Sequence, residues 1–361
     1  MTPRERWKAV LNREPVDRVP CDIWATPEVF DKLCKYLGCE DRWAVIDKLG
    51  IDAPYNFDPR YIGPALQENS DYWGIRYKKI NYGTGVYGET TDHPLANAQT
   101  VADIQKHPWP KAEWFEYSTI KNDVEKNSHR PIRTGWIEPF LFYSSLRGLE
   151  QAMIDMIASP AMVECAFDYI FDFGCSRLER ILEVVNVDLI VPSEDLGSQH
   201  GALFSLDCFR RFHLPRFRKY INIAKQAGAK VFFHTDGACR IFIPELIELG
   251  VDILNPIQHR CPGMERTSLK KDFGDKLVFH GGIENQQILP FGTTSEVRQE
   301  VIDCFEMLGT GGGYICAPCH NIQPITPIEN ILTIYDTINE IAKDRKYTLP
   351  KTIPETLDLK R

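Results

Sequence analysis

The chain has 361 residues, 43% of them hydrophobic, and a formal net charge of −8. That length admits one large barrel or two ordinary domains, with enough apolar content for a sizeable core. The acidic balance and scattered basic residues argue against nucleic acid or anionic membrane as a partner. No apolar run approaches the length of a membrane span. The N-terminal stretch MTPRERWKAVLNREP lacks the apolar core of a secretion signal, so a cytoplasmic protein is expected. Eleven cysteines at irregular spacings in so long a chain read as reduced thiols and not as a disulfide framework.

In chain order, Thr2 to Leu11 reads as a helix, with Thr2 as N-cap, Pro3 in the first turn and Glu5 three residues after the cap. Arg18 to Trp24 reads as a first strand. Thr26 to Leu37 and Arg42 to Leu49 read as helices, the first closed by Gly38. Asp52 to Asp58 reads as a weaker strand broken by Pro54. Asp71 to His93, rich in Tyr, Gly and Thr with alternating character, predicts a β-hairpin insertion. Val101 to Pro110 is a short helix.

From residue 131 a grammar repeats: a short apolar strand, a polar or glycine-containing loop, an amphipathic helix. The strands are Pro131–Trp136, Val187–Val191, Lys230–Phe233, Asp252–Leu254, Leu277–Phe279 and Gly313–Ile315. The helices are Leu146–Ile157, Met162–Val185, Asp207–Gln226, Ile241–Leu249, Thr267–Phe273, Ser295–Leu308 and Pro327–Ala342. Such alternation implies parallel pairing, and about eight units in one chain suggest a single (β/α)8 barrel over residues 1–361. The alternative is a doubly wound open sheet. No glycine-rich phosphate loop opens a helix; GTGGG at 309–313 precedes a strand and reads as a helix stop.

In such a barrel the loops after the strands share one face. The organising stretch is KVFFHTDG, where a buried strand runs directly into His234, Thr235, Asp236 and Gly237. The other strand exits carry Asp22 and Trp24; Asp58 and Arg60; Glu138; Glu194, Asp195 and Gln199; Asn255 and Gln258; His280, Glu284 and Asn285; and Cys316, Cys319 and His320. A polar turn with a helix cap is the plainer account of any one of them. Collectively they make an acidic, histidine-bearing face with few arginines, ill suited to a polyanionic ligand. Cys165, Cys175, Cys239 and Cys304 read as packing residues, and His213 as surface or packing.

The opening TPRERWKAVLNREPVDRVP, the stretch SEDLGSQHGALFS, HTDG, LPFGTTSEVRQEV and the closing HNIQPITPIEN together resemble the uroporphyrinogen decarboxylase superfamily over nearly the whole chain. The resemblance implies a distorted (β/α)8 barrel and one of two chemistries. The decarboxylase branch carries an arginine-rich segment after the first strand; here that place reads CDIWATPEVF. Asp58 and His320 still fall near that branch's functional positions.

The second branch moves a methyl group between a corrinoid (methylcobalamin) protein and a thiol such as coenzyme M. It holds zinc with a His-x-Cys pair and a late Cys. Here the pair is His234 and Asp236 and the late position is His320, with Cys319 as an alternative ligand. Two imidazoles and a carboxylate remain a legitimate set for zinc or another divalent ion. The resemblance therefore implies His234, Asp236 and His320 as metal ligands, with Asp58 a further catalytic candidate. Glu138, Glu194, Asp195, Gln199 and Asn255 are candidates for substrate binding. It also implies a corrinoid-binding partner protein and admits a homodimer. A metal-free lyase acting on a carboxylated substrate is the alternative function. A binding protein without catalysis is a third reading, which the number of ionisable strand exits disfavours.

Overall fold

A computed structural model describes residues 1–83 and 85–343. The strands that alternate with helices are, in chain order, β1 (Tyr55–Asn56), β2 (Ile132–Ile137), β3 (Leu189–Pro192), β4 (Lys230–His234), β5 (Ile253–Asn255), β6 (Val278–Ile283) and β7 (Tyr314–Pro318). The fold is thus the expected α/β type, with parallel strands separated by helices in a TIM-barrel-like arrangement. By their contacts the residues fall into two compact units, Tyr55–Asp252 and the rest.

In the unit Tyr55–Asp252, β1 pairs with β2, β2 with β3 and β3 with β4, all parallel. Nearly every residue of β3 and β4 is buried, as expected of strands covered on both faces. The hairpin is present as antiparallel strands Arg76–Asn81 and Val86–Asp92. The sequence placed one helix over 146–157. The structure has two, Pro139–Arg147 and Leu149–Ala158, broken at Gly148. A buried cluster locks this break. Asp155 accepts from Arg147 at 2.8 Å and from Tyr143 Oη at 2.6 Å, and Arg147 also donates to the carbonyls of Leu95 and Ala96.

In the other unit, β5, β6 and β7 pair in parallel. Helix α1 (Pro3–Leu11) starts with the predicted capping box of Thr2 and Glu5. Helices α2 (Pro27–Leu37) and α3 (Arg42–Leu49) follow. The expected first strand over 18–24 is reduced to a single parallel bridge, Cys21 to Cys316. Pro20 has no N–H to give a ladder, so only its carbonyl pairs, with Cys316 N. No described helix is long and apolar enough to cross a membrane.

Candidate functional site

In the unit Tyr55–Asp252, β2, β3 and β4 deliver their C-terminal ends to one acidic cluster. Glu138 directly follows β2, and Pro139 then opens a helix. Glu138 is 6% exposed and accepts from Trp136 Nε1 at 3.1 Å. Burial, then Glu194 and Asp195, push its carboxyl up to about 8. Beyond β3, Glu194 N–H donates to the His234 carbonyl at 3.0 Å. The Glu194 carboxyl is itself buried, and Oε2 accepts from Phe140 N at 2.8 Å. Asp195 Oδ1 accepts from Asp236 N at 3.1 Å, and Leu196 N donates to Thr235 Oγ1 at 3.1 Å. Burial, then Asp195 and Glu138, push Asp236 up to about 7. Desolvation and like charge act in the same direction on both carboxyls.

The loops after β3 and β4 cross with no space for side chains. A Cβ on Gly197 would lie 2.5 Å from Ala238 N, and one on Gly237, at φ +76°, would lie 2.5 Å from Gly197 C. Only glycine fits on both sides. The stretches SEDLG and HTDG are therefore held against each other at a fixed spacing.

Two residues that the sequence analysis did not assign to the site belong to this cluster. Trp136 sits 5.2 Å from His234, ring to ring, and stays 42% exposed. His213, read as surface or packing, is fully buried among Phe167, Phe204 and Phe209. Its Nε2 lies 3.1 Å from Glu194 Oε2. Burial drives the two groups toward neutrality, raising Glu194 well above its ordinary value and lowering His213 to about 3. A π-helical turn, Phe209–His213, delivers this ring inside the expected helix over 207–226. Pro215 explains it: its missing N–H cannot complete an α-turn within a helix, and the widened turn absorbs the loss. The sequence signal was the pair His213 and Pro215.

Gln199 lies exposed in the loop after β3. Asp58, beyond β1, is 64% exposed along its side chain and pairs with Arg177 at 2.8 Å, while Arg177 stacks over Phe115.

In the other unit, Asn255 ends β5 and is buried. Its Nδ2 lies 2.7 Å from His280 Nδ1, and His280 Nε2 lies 3.1 Å from Asp22 Oδ2, which also accepts from Trp24 Nε1. Glu284 is occupied in capping: its oxygens accept from the N–H groups of Gln286, Gln287 and Ile288. Cys319 aims its thiol at the Ile257 carbonyl, 3.0 Å away, and burial holds that thiol well above its ordinary value. His320 follows at the exit of β7, half-buried.

His234 ends β4 and Asp236 follows it two residues on, while His320 follows β7 in the other unit. Two imidazoles and a carboxylate are donor types that a divalent ion accepts.

The chain belongs to the uroporphyrinogen decarboxylase family of enzymes, whose model matches residues 81–341. It is 22% identical over 350 residues to the methylcobamide:CoM methyltransferase MtaA of Methanosarcina barkeri, covering 91% of this chain and 95% of that one. It is 20% identical over 376 residues to the uroporphyrinogen decarboxylase of Pseudomonas syringae pv. tomato, covering 94% and 97%. Among solved structures, a methyltransferase from Methanosarcina mazei superposes with a TM-score of 0.70 at 20% identity, covering 94% of this chain and 99% of that one.

Proposed function

We propose that this chain is a corrinoid-dependent methyltransferase that moves a methyl group between a corrinoid-binding protein and a thiol or other small acceptor. On this reading residues 1–361 are one barrel domain, acting in the cytoplasm, and a homodimer is admissible. His234, Asp236 and His320 would hold a divalent ion, zinc first. Similarity over nearly the whole chain to a methylcobamide:CoM methyltransferase carries the proposal, and the donor types at the exits of β4 and β7 fit such an ion. The electrostatics agree: burial, then Asp195 and Glu138, disfavour charge on Asp236, a penalty that a bound cation would offset.

A bound divalent ion stabilises a thiolate at neutral pH, and the thiolate is the nucleophile in such transfers. The chain's own groups would do the rest. Trp136 covers one side of His234 and fixes Glu138 through its indole N–H. Glu138, held up to about 8, is placed to keep or take up a proton near neutral pH. Asp195 fixes the backbone at Asp236. Gln199, Asn255 and Glu194 are the candidates for binding the acceptor.

The test is metal content and transfer. Protein grown with added zinc should carry close to one equivalent by elemental analysis and should methylate a thiol from methylcobalamin. His234→Ala should lose most of the metal and the activity and still unfold cooperatively, somewhat below the metal-free wild type because the ring is buried against Trp136. Metal-free protein that transfers methyl groups at full rate would refute the metal assignment. Loss of carboxylate from a substrate without metal, dependent on Asp58 and His320, would replace the reading by the lyase alternative.

A further inference from the structure

Helix α2 ends in a turn that has a cysteine at each end. Gly38 takes the left-handed conformation at φ +65°, and both its N–H and that of Cys39 return to the Cys34 carbonyl, the latter at 2.9 Å. A turn closed in this way across a left-handed glycine sets its first and last residues side by side, and a contact between their side chains frequently accompanies it. Here those residues are Cys34 and Cys39. Both are half-buried, hence reachable from solvent. Of the nine other cysteines, seven are buried.

We propose that Cys34 and Cys39 are a redox-active dithiol that closes into a disulfide across the end of α2 when it meets a peroxide. One thiolate attacks a peroxide oxygen, the O–O bond breaks, and water leaves once the departing oxygen is protonated. The second thiol then attacks the sulfenic sulfur, forming S–S, breaking S–O and releasing a second water. Each sulfur loses one electron, and the peroxide is reduced to two waters. Burial and the neighbouring Cys39 hold the Cys34 thiol above its ordinary value. Exchange that expels Cys34 from the closed bridge is thereby slowed.

The helix so clipped also carries a loop. Lys32 Nζ of α2 donates to the Pro324 carbonyl at 2.9 Å and the Thr326 carbonyl at 3.1 Å. Thr26 N, at the helix start, donates to the Ile322 carbonyl at 3.2 Å. The bridge therefore bears on the helix that secures the chain just after His320.

Peptide mapping tests the proposal. The reduced full-length protein is exposed to hydrogen peroxide up to a tenfold excess, alkylated and cut with trypsin. Cleavage after Lys35 separates the two cysteines into the fragments Leu33–Lys35 and Tyr36–Arg42. A disulfide joins these two fragments, two mass units below their sum, and a phosphine reductant parts them. We expect this linked species to dominate, and to be absent in Cys34→Ser, which should fold and turn over normally. Both fragments recovered singly alkylated across the peroxide range would overturn the proposal. So would either cysteine driven to sulfinic acid unlinked, or joined to a different cysteine.

Discussion

Glu138→Gln tests the acidic cluster at one atom. The substitution keeps the side-chain volume and an oxygen that can accept from Trp136 Nε1, but removes the titrating proton. In the folded chain the carboxyl titrates at about 8, against an ordinary value of 4.5. Between these values the folded state holds the proton more tightly than the unfolded state, so stability falls as pH rises. At about 1.4 kcal/mol per unit, raising pH from 5.5 to 8 removes roughly 3 kcal/mol from the wild type. The Glu138→Gln protein has no such dependence, and losing the charge also relieves Asp236 in the same direction. Unfolding entropy near 2.1 cal/mol/K per residue makes roughly 0.76 kcal/mol/K for a chain of this length, so 3 kcal/mol corresponds to about 4 °C. Melting temperatures of chelator-treated wild type and Glu138→Gln, compared by scanning calorimetry across that range, should diverge by about this amount, with the variant increasingly the more stable. Curves that stay parallel within a degree, or converge, would refute the proposal that the cluster holds Glu138 protonated.

Asp155→Ala should destabilise by about 3–5 kcal/mol in urea unfolding, because Arg147 is left buried with its carboxylate removed. Lys270 is buried, donates to the Gly312 carbonyl and is lowered to about 7 by burial and then Arg13. The unfolded state therefore binds the extra proton between about 7 and 10.5, and wild-type stability rises with pH across that window. Lys270→Met should be the more stable protein near pH 7 and lose that advantage by pH 10, read from urea midpoints.

Local chemistry made much of the fold legible. The α1 cap needs only Thr2 and Glu5, three apart, and both form the predicted box. The hairpin was visible in its alternation, and β4 in its covered apolar run ending at His234. The failures share a different cause. The first strand is paired over one bridge because Pro20 withholds a donor, and its alignment depends on Cys316, almost 300 positions away. The helix Pro139–Arg147 was missed because FLFY at 140–143 reads as a covered strand when its partners are unknown. At the candidate site, His234, Asp236 and His320 were nameable as strand exits and by resemblance. The burial of His213 against Glu194 was not, since a π-turn sets it. Trp136 lies one residue before a strand end, where a tryptophan looks like core.

The crossing of Gly197 and Gly237 separates two things that proteins usually change together. With backbone packed on backbone at that point, the path of residues 234–239 does not depend on what residue 236 carries. The side chain there is accordingly a replaceable fitting. A carboxylate and a thiolate differ in the softness of the cation they prefer, yet exchanging one for the other at position 236 leaves the surrounding chain undisturbed. If position 236 holds an ion as proposed, a lineage could retune which one through a single codon, while a mutation at either glycine would break the frame.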